Sequence, residues 1–136
     1  MQINPAEFKL LVVDDVQTNV LLLKALLGKE GYGILVANNG QEALEVIRNE
    51  NPDLILLDVM MPGMDGIECC RRLKSELQTC HIPVILLTAC SLDEQRIQGY
   101  DGGADSYISK PFSSQLLLAR VRNLIDSHRR LKQFFG

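Results

Sequence analysis

The chain has 136 residues, 46% of them hydrophobic and 23% charged, which are the proportions of one globular domain with a single core. No apolar run approaches the length of a membrane helix, and the start, Met1-Gln2-Ile3-Asn4-Pro5, has neither a basic leader nor an apolar stretch behind it. The sequence therefore predicts a cytoplasmic protein with no membrane partner. The net charge of −3 is uneven: from Gln115 onward five basic residues face Asp126 alone, a tail of +4 that leaves −7 on the rest, so a site in the body should favour cations.

Taken in chain order, Lys9-Leu10-Leu11-Val12-Val13 is an apolar run that stops at Asp14-Asp15 and predicts a buried strand. Gln17 to Glu30 carries Val20, Leu23, Leu26 and Leu27 at helical spacing and is stopped by Gly31. Tyr32 to Ala37 predicts a second strand, closed by Asn38-Asn39-Gly40, and Ala43, Leu44 and Ile47 mark a second helix that ends before Asn51-Pro52. Leu54 to Leu57 is the third strand, followed by the loop Asp58-Val59-Met60-Met61-Pro62-Gly63-Met64-Asp65-Gly66 and a helix from Ile67 to Leu77. Pro83 opens the fourth strand, Val84 to Leu87, which ends at Thr88. Ser91-Leu92-Asp93-Glu94 is a capping-box pattern, and it predicts a fourth helix that runs to Gly102-Gly103. Ala104 to Ile108 is the fifth strand, broken by Lys110-Pro111, and the last helix starts near Ser113.

Five strands alternate with five helices. Runs that are apolar throughout belong to a parallel sheet covered on both faces, and right-handed crossovers make it a doubly wound α/β sandwich. The four cysteines, Cys69, Cys70, Cys80 and Cys90, have no CxxC spacing and no paired histidines. They read as free thiols in a reducing compartment, not as a zinc site.

In open α/β sheets the working crevice lies beyond the carboxyl ends of the strands. Those ends here are Asp14 and Asp15, Asp58, Thr88 and Lys110, while the second strand ends in an unconnected Asn38. A single aspartate after a strand is most often a helix cap or turn former. Asp15 alone would earn no other reading, and Asp65, Asp101 and Asp105 read as turn residues. Three carboxylates together are different. Two like charges about 4 Å apart repel by roughly 4 kcal/mol at an effective dielectric near 20, so three mutual pairs rival the whole stability of a small domain. Lys110 supplies one compensating charge. Hard oxygen ligands with open positions suit Mg²⁺ for the remainder.

Asp14-Asp15 after the first strand, Asp58 with Pro62 and Gly66 following, Thr88 with Ala89, and Tyr107 with Lys110-Pro111, in this order on alternating βα units, resemble the receiver domain of two-component response regulators. The likeness runs to about Asn123. It implies a (βα)5 flavodoxin-like, CheY-like sheet of order 2-1-3-4-5, with Asp58 as phosphoacceptor for a histidine kinase or phosphotransfer protein. It further implies Mg²⁺ held by Asp15, Asp58 and the Met60 carbonyl, with Asp14 acting through water. Lys110 would pair with Asp58 and then with the phosphoryl group, Thr88 would bond a phosphoryl oxygen, Tyr107 would swing inward, and Lys110-Pro111 would be cis. The output face would be the fourth helix, fifth strand and last helix. Apart from its own phosphorylation and slow dephosphorylation, such a domain is a signalling acceptor and not an enzyme.

Met60 and Cys90, two residues after Asp58 and Thr88, cannot orient an attacking water as an amide or carboxylate could, and they predict a long-lived phosphorylated form. A phosphatase of the haloacid dehalogenase type would need an acid where Met60 stands, and a flavodoxin-like binder would need a polar phosphate loop where Asp14-Asp15 stand. Leu117, Val121, Leu124, His128, Leu131 and Phe135 form a coiled-coil-like stripe along the last helix. The first half reads as core and His128 as packing. Residues 1–126 are thus assigned to the receiver domain. Residues 127–136 are assigned to a helical extension that leads to an effector domain or pairs two copies. The five basic charges from Gln115 onward come without a reading helix and do not make a nucleic-acid surface.

Overall fold

The three central apolar runs become strands because each is covered on both sides. The structure, a computed structural model, describes residues 4–88 and 103–135. After a short 3-10 turn, Pro5–Glu7, come β1 (Lys9–Val13), α1 (Gln17–Lys29), β2 (Gly33–Ala37), α2 (Gly40–Glu50), β3 (Leu54–Asp58), α3 (Gly66–Ser75), β4 (Val84–Thr88), β5 (Ser106–Ser109) and α4 (Ser114–Phe135). All strand pairs are parallel and the order is β2-β1-β3-β4-β5, as the sequence reading expected. The helix expected from Ser91 lies outside the described residues.

Successive strand residues feed opposite layers, which is why the runs show no polar alternation. Leu11 and Val13 of β1, Ile55 and Leu57 of β3, and Val84 and Leu86 of β4 pack with Ala43, Ile47, Ile67 and Leu73 under α2 and α3. Leu10 and Val12, Leu54 and Leu56, and Ile85 and Leu87 pack with Leu23, Leu27, Leu117, Val121 and Ile125 under α1 and α4. Of the expected stripe on the last helix, Leu117 and Val121 reach the core while Leu124 is only partly buried, and Ile125, which the stripe left out, is fully buried in its place. His128 packs as expected, and its partner is the chain's other histidine: the His81 and His128 rings stack with centroids 5.7 Å apart.

The helix ends follow their caps. Asn39 accepts from the Glu42 amide at 2.8 Å to start α2, and Asn51 closes it in the left-handed conformation at φ 53°. Asp65 accepts from the Glu68 amide at 2.9 Å to start α3, so it is a helix cap. That helix ends at Ser75 and not Leu77, whose side chain is 93% exposed. Cys69 and Cys70 on it are buried and in no disulfide, and burial pushes their thiols up to about 12 and about 11, which leaves them unreactive.

Two boundaries differ from the sequence reading for a tertiary reason. β2 begins at Gly33, because Tyr32 turns into the core under α1 and α4. β5 begins at Ser106 and not Ala104, because Asp105 is taken up elsewhere: its carboxylate accepts from the Val84 amide at 2.8 Å and from Lys74 Nζ at 2.9 Å. Lys74 Nζ also donates to the Ile82 and Cys80 carbonyls at 2.7 and 3.2 Å, so one ammonium ties α3, the entry to β4 and the entry to β5. Lys74→Met should cost about 2 kcal/mol of unfolding free energy in urea titration, since it strands these acceptors. An unchanged midpoint would show that the tie contributes nothing.

Candidate functional site

Parallel register brings the strand ends to one edge. Val13 pairs with both Ala37 and Leu57, Asp58 with Leu87, and Thr88 with Ser109. The residue after β1, the last residues of β3 and β4, and the residue after β5 are therefore Asp14, Asp58, Thr88 and Lys110 side by side. Asp14 and Thr88 are fully buried and Asp58 is 5% exposed, whereas Asp15 faces solvent.

Lys110 Nζ stands 3.1 Å from Asp58 Oδ1 and 3.7 Å from Asp14 Oδ2. The Lys110-Pro111 bond is cis. Asp14 Oδ1 accepts from the Val16 amide at 2.9 Å, so it is Asp14 that secures the start of α1. The cap position is Val16, which has no side-chain oxygen to offer, and Asp15 does not cap the helix. The second strand's end is also connected after all: Gln17 donates to Asn38 at 2.8 Å, and Asn38 donates to Glu42 at 3.3 Å, tying the acidic loop to α2. Nothing in the local sequence pairs Gln17 with Asn38, which lie 21 residues apart.

Carboxylate oxygens of Asp14, Asp15 and Asp58 lie within 4.8 Å of one another. One small cation can touch two of them and reach the third through water. Among the described residues Asp14 Oδ2 and Thr88 Oγ1, both buried, have no hydrogen-bond partner. Orphaned buried oxygens are rare in folded proteins, and both of these lie at the sheet edge where the carboxylates gather. A single ammonium against three carboxylates leaves a negative excess, and the donors are all hard oxygens, so the residues fit Mg²⁺. Burial pushes the Asp58 carboxyl above its ordinary range, Lys110 pulls it back, and Asp14 and Asp15 push it up again.

The loop after Asp58 is shaped by contact. A Cβ on Gly66 would lie 2.2 Å from the Asp58 carbonyl oxygen and 2.9 Å from Val59 Cα, so only glycine lets α3 start against the strand it follows. Met61 is buried in the α2–α3 layer and Met64 packs against the same layer, which accounts for two of the three methionines. Met60 is 57% exposed.

The family described as "Response regulator receiver domain" matches residues 10–122. The chain belongs to that family. The matched relatives include the response regulator PleD of Caulobacter vibrioides, 49% identical over 116 residues, which are 85% of this chain and 26% of PleD. The chain thus spans about a quarter of that relative's length. Solved structures alike in fold include the signal receiver domain of a signal transduction histidine kinase from Syntrophus aciditrophicus, at TM-score 0.83 and 38% identity over 88% of this chain and 91% of that one. The chemotaxis protein CheY4 of Vibrio cholerae matches at TM-score 0.78 and 30% identity, over 86% of this chain and 98% of that one.

In this receiver domain the residues singled out from sequence divide into two sets. Asp14, Asp15, Asp58 and Lys110 meet, with Thr88 buried on the adjoining strand. Tyr107 lies farther along β5 and is 43% exposed, facing outward. Cys90 lies outside the described residues. Among those described, no helix is long and apolar enough to cross a membrane.

The raised Asp58 carboxyl carries a stability consequence. Its folded-state value exceeds its unfolded one, so ionisation costs stability at neutral pH. In metal-free buffer at pH 7, Asp58→Asn should melt higher than the parent by a few degrees, on the order of 1 kcal/mol. The gap should close as pH falls towards about 4, where the unfolded chain too becomes protonated. Added Mg²⁺ should raise the parent's melting temperature and raise the variant's less. A variant that melts lower than its parent without metal would contradict the electrostatic reading.

Proposed function

We infer that this receiver domain accepts a phosphoryl group on Asp58 from a phosphohistidine of a histidine kinase or phosphotransfer protein, in a Mg²⁺-dependent reaction. The observation that carries this reading is a buried carboxylate with an ammonium 3.1 Å away and two further carboxylates beside it. In the transfer, an Asp58 carboxylate oxygen forms a bond to phosphorus, the bond from phosphorus to the donor imidazole nitrogen breaks, and an acyl phosphate results. Asp15, Asp58 and the Met60 carbonyl, with Asp14 acting through water, would hold Mg²⁺, which would supply positive charge to the phosphoryl oxygens.

The chain's own residues do the rest. Lys110 neutralises Asp58 at rest and the phosphoryl oxygens afterwards. Thr88, whose hydroxyl lacks a partner among the described residues, donates to a phosphoryl oxygen. Its movement leaves room for Tyr107 to turn inward. The switch is read on the face made by β5 and α4, together with the helix expected from Ser91, which lies outside the described residues. The domain, residues 1–126, then works as a cytoplasmic signalling acceptor. Residues 127–136, of which 127–135 continue α4, lead to an effector domain or pair two copies.

Incubation with a small-molecule phosphodonor should label the parent chain in Mg²⁺ and fail to label it after chelation. Asp58→Asn should take no label, and persistent labelling there would overturn the assignment. Met60→Asn with Cys90→Glu should speed loss of the phosphoryl group by on the order of a hundred-fold, the lower range for a positioned proton-transfer group. A rate equal to the parent's, measured by phosphate release, would refute the link between these positions and a long-lived signal.

A further inference from the structure

One contact of the loop after Asp58 has no part in the phosphoacceptor chemistry as described. Half-buried Met64 lies across Gly40, the first residue of α2. A Cβ on Gly40 would sit 3.0 Å from Met64 Sδ, 3.1 Å from its Cβ and 3.2 Å from its Cγ. These separations are inside ordinary carbon contact of about 3.5–4.0 Å. One of the three atoms is the root of the side chain, which cannot retreat unless the loop backbone moves with it.

Gly40 itself is held from two other sides. The Asn39 cap fixes the helix start through the Glu42 amide at 2.8 Å, and Cys69 of α3 places its Sγ 4.0 Å from the Gly40 carbonyl oxygen. The start of α2 is thus a fixed seat onto which the loop presses. Met61 anchors the same loop in the core below, while Met60 between these anchors and Asp58 is exposed.

We propose that Gly40 is a positioning residue for the metal site: the seat it offers Met64 sets where the loop runs, and so where the Met60 carbonyl stands beside Asp15 and Asp58. This rests on the Mg²⁺ reading above. Mg²⁺ demands near-octahedral oxygen ligands at about 2.0–2.1 Å. A displacement of a few tenths of an ångström, which a methyl at position 40 requires, is tolerable for core packing and disruptive for a ligand.

The test is a cycle of Gly40→Ala, Met64→Ala and the double variant, each titrated with Mg²⁺ by calorimetry and melted without metal. Each single change should weaken Mg²⁺ binding on the order of ten-fold, as loss of support behind a ligand does, with the metal-free melting temperature close to the parent's. The double variant should recover part of the affinity, because the methyl at position 40 then meets only the Cβ at position 64, with Sδ and Cγ gone. A parent chain that binds no Mg²⁺ would sink the proposed function and this inference with it. A parent that binds, with both single variants binding equally well, would overturn the inference alone, and so would losses that add in the double variant. Should Gly40→Ala fail to fold, unchanged affinity in Met64→Ala overturns it by itself.

Discussion

Two carboxylates buried at the edge of a sheet, with one ammonium between them, set the terms for the rest of this domain. Lys110 reaches both Asp58 and Asp14, and it is the only thing among the described side chains that offsets their repulsion. Burial still wins over the lysine at Asp58, which is held above the ordinary carboxylate range. The site at rest is therefore under electrostatic load. A cation relieves that load from the solvent side, where Asp15 stands exposed.

Holding such a cluster requires a frame that will not yield. The sheet supplies it, because β1, β3 and β4 are apolar on both faces and buried between two helical layers. The carboxyl groups stand one residue beyond, or at the last residue of, strands locked in parallel register. Gly66 shows how little slack remains: its backbone passes so close to the Asp58 carbonyl that no side chain fits. Local economy has been given up at the site, and packing elsewhere compensates, which is the usual bargain at functional positions.

Much of this was legible in the chain itself. Continuous apolar runs announced two-sided burial, and charges closing three runs announced the site, whereas Asn39 and Asp65 read as turn residues and are helix caps in the fold. What stayed hidden depended on distant partners. Asp105 read as a turn residue until Lys74, 31 residues away, was seen to claim it. Asn38 looked unconnected until Gln17 met it. The fifth strand was placed too early because the Asp105 carboxylate is taken by the Val84 amide and Lys74 just before it. Met61 and Met64 were only apolar residues until the seat at Gly40 gave the second of them a position.

The sequence by itself determined the alternation of strands and helices, the parallel sheet and the residues that crowd its carboxyl edge. Those follow from short-range physics, since burial on two faces, capping and strand-end charge are all written within a few neighbouring residues. Only the tertiary structure decided the distances that make a site of them: the lysine between two aspartates, the orphaned oxygens of Asp14 and Thr88, and the loop resting on α2. Such separations depend on register and on the packing of both helical layers at once, and no local pattern in a chain records them.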